Sequence, residues 1–257
     1  MINKKYIYII ILFLFLIIIK IVNPSLVQKI SFINYDFYQK VFNRGEVQNV
    51  TIVDIDEKSI AKIGQFPWRR DIYSKILNNL NQFNPSAIAF DIVFSEEDKQ
   101  NPQDLLLKLQ KESDQVIIAN VLNTNKIFID SISKSKVILP VLGEPNDNFV
   151  ENNSKPKLKI ITKGENAKNF LYSYKNKIIS LEEINNAASG IGAISLIPNI
   201  DGIIRNIPLL YNIDNQIWPS LALEAIRIAT NQKNLLVQSD KSGISVIKTR
   251  KDIFPGD

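Results

Sequence analysis

Residues 49–94 read NVTIVDIDEKSIAKIGQFPWRRDIYSKILNNLNQFNPSAIAFDIVF, and the fold class turns on this stretch. NVTIVDID is a β-branched, apolar run ending in carboxylates, the pattern of a buried strand. Glu57 to Ile63 fits a short helix, with Asp56 as its cap and Gly64 to close it. Phe66-Pro67-Trp68-Arg69-Arg70 must turn, because proline biases the residue before it away from helix. A second helix follows, predicted to carry Ile72, Ile76, Leu77, Leu80 and Phe83 inward until Asn84-Pro85 ends it. SAIAFDIVF is then another apolar strand with Asp91 inside it. Strand, helix and strand in succession predict a parallel sheet with helices on its faces.

Downstream the same alternation continues. A Leu-rich helix is predicted at Asp104 to Gln110, and strands at DQVIIANVL (114–122) and SKVILPVL (135–142). From Pro145 to about Lys168 the chain is polar, rich in Asn and Lys and without periodicity, which reads as a surface insertion. LEEINNAAS is a helix and IGAISLI a strand. Asp201-Gly202 is placed as a hairpin turn leading into IIRNIPLLYNI, since glycine accepts positive φ. Trp218-Pro219 forms a turn into SLALEAIRIA, an amphipathic helix. No internal repeat is visible, and the expected body is one α/β domain, residues 49–257, with a mixed, largely parallel sheet flanked by helices.

Upstream, Tyr6 to Val22 reads YIYIIILFLFLIIIKIV, apolar apart from Lys20. A helix of this length spans about 25 Å, near the short end for a hydrocarbon core. Lys20 can snorkel, and Tyr6 and Tyr8 sit where interfacial aromatics are common. The following NPSLVQK lacks a small-x-small cleavage site, so an uncleaved anchor over residues 1–23 is preferred to a signal peptide. Leu26, Ile30, Ile33, Phe37 and Val41 then recur at helical spacing. They define a juxtamembrane helix within residues 24–48, expected to pack on the body of the domain, with Gly45 as its stop. Charge leaves orientation open, because Lys4 and Lys5 on one flank face Lys20, Lys29, Lys40 and Arg44 on the other.

Composition excludes much chemistry. The 257 residues contain no histidine and no cysteine, which removes Ser-His-Asp and Cys-His catalysis, thiol redox chemistry and the usual zinc ligands. A metal would have to be a hard cation held by oxygens. The net charge of +5 comes from 25 Lys and six Arg spread along the chain rather than gathered with aromatics, so nucleic acid is not an expected partner.

The remaining candidates are carboxylates near strand ends: Asp54, Asp56 and Asp91. Open α/β sheets bind ligands at such edges. VTIVDIDEKS also resembles the start of haloacid dehalogenase phosphatases, in which the first aspartate is the nucleophile and the second an acid/base working with Mg²⁺. Lys58 departs from that pattern, and no later Gly-Asp and Asp cluster completes a magnesium site. The alternative is architectural: Asp54 and Asp56 as a strand end and helix cap, paired to Arg69 or Arg70, and Asp91 as a hydrogen-bonded support for its loop. Glu96, Glu97 and Asp98 read as a solvated acidic loop, and Trp68 and Trp218 as plugs over the core.

Taken together, VTIVDIDEKSIAKIGQFPWRRDIYSKIL, PSAIAFDIVFSEED, GIGAISLIPNIDGIIRNIPLLY and WPSLALEAIR resemble the type-2 CHASE sensor domain of bacterial cyclases, histidine kinases and Ser/Thr kinases. Asp56, Ser59 and Gly64 match the family's residues after its first strand. Pro67, Trp68 and Arg70 match its Pro-Trp-x-Arg turn, with Arg69 where proline is usual. Asp91 and Phe94 match its Phe-Asp-x-x-Phe strand, Asp201, Gly202, Arg205 and Pro208 its hairpin, and Ser220 and Leu221 its helix start. The resemblance implies a cytoplasmic N-terminus, one crossing and an extracytoplasmic sensor acting on an intracellular effector, a nucleotide cyclase first and a kinase otherwise. It carries over no activity and no cofactor. The candidate ligand-binding residues are Asp54, Asp56, Trp68, Arg70, Asp91, Asp201 and Arg205, with no catalytic or metal-ligating residue. The expected partners are the membrane, a second copy and an unknown small-molecule or protein stimulus. A non-signalling, membrane-anchored structural protein is the other alternative. No second apolar run or effector follows before Phe254-Pro255-Gly256-Asp257, so the expectation is of a sensor cut short.

Overall fold

The computed structural model describes residues 4–22, 25–42, 49–109, 121–145, 153–249 and 253–255. These fall into two compact units. One comprises Met1–Glu57 with Ile200–Ile203, and the other Lys58–Asn199 with Ile204–Asp257.

The first unit carries two helices, α1 (Lys4–Val22) and α2 (Ser25–Val41). Side chains from Tyr6 to Val22 are apolar apart from Lys20 and exposed around nearly the whole circumference of α1. Among the described residues no single helix is long and apolar enough to cross a membrane. Tyr6–Val22 and Val27–Val41 meet that test only as a bent pair, 84° apart. On α2, Ile30, Ile33, Phe37 and Val41 are all exposed. After α2, the stretch Val50–Asp56 is neither a strand nor buried: Val50, Ile52 and Val53 are 67%, 86% and 62% exposed. The residues have strand character, but a strand needs a ladder partner, and none pairs with them among the described residues.

The second unit begins with α3 (Glu57–Ile63), whose first residue belongs to the other unit, and α4 (Arg70–Asn81). Gly64 closes α3 in the left-handed region at φ +113°, its N–H donating to the Ile60 carbonyl, as the sequence predicts. The buried face of α4 matches the predicted one only at Leu77. Arg70, Tyr73, Ser74 and Leu77 point inward; Ile72, Ile76 and Leu80 are half-buried, and Phe83 lies beyond the helix, 82% exposed. Aromatic packing explains the rotation. Tyr73 meets Phe90, Phe94 and Phe128 with ring centroids 5.1–6.5 Å apart, in edge-on and tilted pairs that Trp68 extends.

Strand β1 is only Ile88–Ala89, so Asp91 lies outside the ladder and is exposed, needing no neutralising partner. Then come α5 (Pro102–Leu109), α6 (Thr124–Ser133) and β2 (Val137–Glu144), the predicted SKVILPVL strand. Most of the DQVIIANVL stretch lies outside the described residues. The polar segment after Pro145 is not an unstructured insertion throughout, since β3 (Lys159–Gly164) pairs in parallel with β9 (Asn234–Asp240). Its Ile160-Ile161-Thr162 run is masked in the sequence by lysines, which blunt an edge strand.

A 3₁₀ turn (Ala167–Phe170), β4 (Ser173–Tyr174), β5 (Asn176–Ile179), α7 (Glu182–Ala187) and β6 (Gly190–Ala193) follow. The unit closes with β7 (Leu210–Ile213), β8 (Gln216–Pro219), α8 (Leu221–Ala229), β9, β10 (Gly243–Lys248) and β11 (Ile253–Pro255). The described strands form three sheets rather than one: β2 with β1, β5 and β6; β11-β10-β9-β3; and β4-β7-β8. Four ladders are parallel and four antiparallel, so the sheets are mixed but not largely parallel. Asp201-Gly202 does turn, with Gly202 at φ +79°, yet no hairpin forms there because β6 pairs with β2 and β7 with β4 and β8. The hairpin lies one element later, where Asp214 and Asn215 both take positive φ between β7 and β8. Trp218 is therefore a strand residue, fully buried, donating to the Ile213 carbonyl. Beside it, buried Tyr211 donates to the Ser195 carbonyl, and burial pushes its hydroxyl up to about 12.

Helix α8 packs closely on β6. A Cβ at Gly192 would stand 2.5 Å from Leu221 Cα and 2.9 Å from the Ser220 carbonyl oxygen. Both obstacles are backbone, so neither can rotate away. Gly192→Ala is expected to destabilise the domain by about 3 kcal/mol, the upper end for overpacking. Urea unfolding checks this; an unchanged midpoint would contradict it.

Candidate functional site

A buried polar hub in the second unit is built on Asp98, 7% exposed. Helix α4 begins at Arg70 after Arg69, which supplies no side-chain cap. Its cap comes instead from 28 residues away, where Asp98 Oδ2 accepts the Arg70 N–H at 2.9 Å. The same oxygen accepts the Thr124 hydroxyl at 2.6 Å, at the first residue of α6, and Oδ1 accepts the Gln100 N–H at 3.0 Å. Asn101 Oδ1 takes the Thr124 N–H, while Asn123 caps α6 by accepting from the Lys126 N–H. One carboxylate thus ties the first turns of two helices, where negative charge is favoured.

Arg70 completes the hub. Its guanidinium stacks 4.4 Å from the Phe94 ring centroid and donates to the Glu96 carbonyl at 2.8 Å. Burial pulls its pKa down, and Asp98 is the first of the charges opposing that shift. Phe94 is held from the other side, its N–H donating to Ser180 Oγ and its carbonyl accepting from the Leu181 N–H. Beside the hub lies a cleft of about 840 Å³, lined by Glu97, Asp98, Asn101, Asp104, Asp130 and Glu183 among others. Its lining contributes five carboxylates against Lys99 and Lys126, so its field is negative.

Of the seven predicted ligand-binding residues, the structure brings only Trp68 and Arg70 to this hub. Trp68 is buried, and its indole N–H donates to the Gly64 carbonyl at 2.7 Å. Asp54 and Asp56 are exposed and, with Asp201, belong to the other unit. Asp201 accepts from the Ile203 N–H within its own turn. Asp91 is exposed and Arg205 half-buried. The architectural pairing of Arg69 and Arg70 also differs from expectation: Arg69 forms a two-point ion pair with Asp71 at 2.6 and 2.9 Å. No group of three or more Asp or Glu side chains among the described residues is placed to hold a metal ion, so the magnesium ligands of the phosphatase reading are not assembled there.

The Arg69 hydrogen bond holds the Asp71 carboxyl below its ordinary value of 3.8. A depressed carboxyl stabilises the fold above its unfolded pKa and loses that contribution as pH falls through the folded value. Arg69→Ala is therefore expected to lower the melting temperature at neutral pH, with the difference from wild type shrinking below about pH 4. A difference that stayed constant into acid would contradict this.

Sequence reasoning missed Asp98, Thr124 and Asn101. Asp98 sits in an acidic run that reads as solvated. The available signals were Asn101-Pro102 and Asn123-Thr124, both helix-start patterns that place these residues at the caps of their helices. A second missed feature is the buried ion pair Glu224–Arg227, at i, i+3 on α8.

A family model described as the CHASE2 domain matches residues 9–254, and the chain belongs to that family. CHASE2 domains are extracytoplasmic sensory domains of membrane signalling receptors. No curated protein and no solved structure matches the chain.

Proposed function

We propose that the chain is the sensory module of a transmembrane receptor, anchored by α1 with its N-terminus in the cytoplasm and its α/β body outside. The observation that carries the anchor is α1 itself. A helix apolar on all sides is stable only inside a protein or in lipid, and this one is exposed. The chain acts by binding a small-molecule or protein stimulus, as a homodimer, and regulates an intracellular nucleotide cyclase or else a kinase. It is not itself an enzyme and needs no cofactor. Signalling requires the stimulus to bind one of two packings of the domains more tightly than the other.

Two measurements test this reading. The full chain in detergent should have a dimer mass by light scattering, whereas a monomer at every concentration would contradict the dimer. The reading frame beyond the Asp257 codon should encode a cyclase or kinase, and a frame without an effector would contradict the output.

A further inference from the structure

On α2, successive side chains are separated by about 100° around the axis. Ile33, Phe37, Ile30, Val41 and Tyr38 therefore share an arc of about 140°, interrupted by Asn34. These five side chains are 56–67% exposed. Lys29 and Lys40 lie on the flank of that arc beside Ile33, and both are exposed. We propose that this face docks on an anionic lipid surface, so that α2 lies in the membrane interface. The inference rests on the reading of α1 as an anchor.

Three observations favour lipid over a second copy. Helix α2 starts at Ser25, three residues after α1 ends at Val22, so its first turn is held where the anchor leaves the hydrocarbon. The two helices lie 84° apart, which lays α2 along the membrane plane when α1 crosses it. A two-helix coiled coil would instead continue along the anchor axis. The apolar arc is also wider than a coiled-coil seam and carries two aromatics, with lysines at its edge to meet anionic headgroups.

The test uses the absence of cysteine. Ile33→Cys, Phe37→Cys and Gln39→Cys are each labelled with an environment-sensitive fluorophore in the full chain. The chain is reconstituted in phosphatidylcholine vesicles with roughly 30% phosphatidylglycerol, which gives a negative surface. Phe13→Cys, on α1, reports the anchor. Nitroxide lipids with a shallow label are expected to quench positions 33 and 37 about threefold more than 39, while deep nitroxides quench 13. Position 13 quenched with 33 and 37 unquenched overturns the interfacial helix but keeps the anchor. An unquenched position 13 overturns both. Efficient disulfide formation between unlabelled copies at 33 or 37 identifies a second copy as the occupant and also overturns the inference.

Discussion

Glu224→Ala is expected to destabilise the domain by about 3–5 kcal/mol, the range for removing one partner of a buried ion pair. Glu224 is fully buried and Arg227 is 5% exposed. The guanidinium donates to Glu224 from Nε at 2.7 Å and from Nη2 at 2.6 Å, and its third bond reaches the Gln232 carbonyl at 2.6 Å. Removing the carboxylate leaves a charge that solvent cannot reach. The pair also packs against Gly190, where a Cβ would collide with Glu224 Oε1. Replacing Glu224 and Arg227 together by apolar residues of similar size should recover most of the loss, because the pair's attraction mainly offsets its own desolvation. Urea unfolding of the single and double variants decides the matter, and a single-variant loss under about 1 kcal/mol would mean that water reaches the pair.

The second large effect falls on the hub. Asp98→Ala removes the acceptor for the Arg70 N–H, the Thr124 hydroxyl and the Gln100 N–H together. A stranded buried donor costs about 1–3 kcal/mol, so a total of about 4 kcal/mol is expected once local relaxation is allowed. Asp98→Asn keeps one acceptor oxygen and should lose about half as much. The telling comparison is a double-mutant cycle with Thr124→Val, where the shared hydrogen bond predicts a coupling of about 1 kcal/mol or more. Strict additivity would show that the two helix starts are held independently.

These two sites show how unevenly the structure was legible in the sequence. Elements whose residues repeat at one period were readable: SKVILPVL as β2, SLALEAIRIA as α8, the turn at Phe66-Pro67 and the stop at Gly64. What failed was pairing. VTIVDID has the residues of a buried strand yet forms no strand with the described residues, while Lys159–Gly164 has the residues of a loop and pairs with β9. Asp201-Gly202 and Asp214-Asn215 are both credible turns, and only the partner strands decide which of them makes a hairpin. The site shows the same limit. Trp68 and Arg70 stood out as a compact motif, but the carboxylate that holds the Arg70 N–H lies 28 residues on, in a run of charges that looks solvated. Burial, not composition, separates Asp98 from Glu96 and Glu97, and burial is a property of the assembled fold.

The side of the membrane on which the body lies is the most direct test of the receptor reading. A single cysteine at the exposed Lys241 position, between β9 and β10, reports the body, and Asn3→Cys reports the N-terminus. A membrane-impermeant maleimide applied to intact bacterial spheroplasts should label Lys241→Cys at once and Asn3→Cys only after lysis. Labelling of Asn3→Cys in intact spheroplasts with Lys241→Cys protected would place the domain in the cytoplasm and contradict the extracytoplasmic sensor.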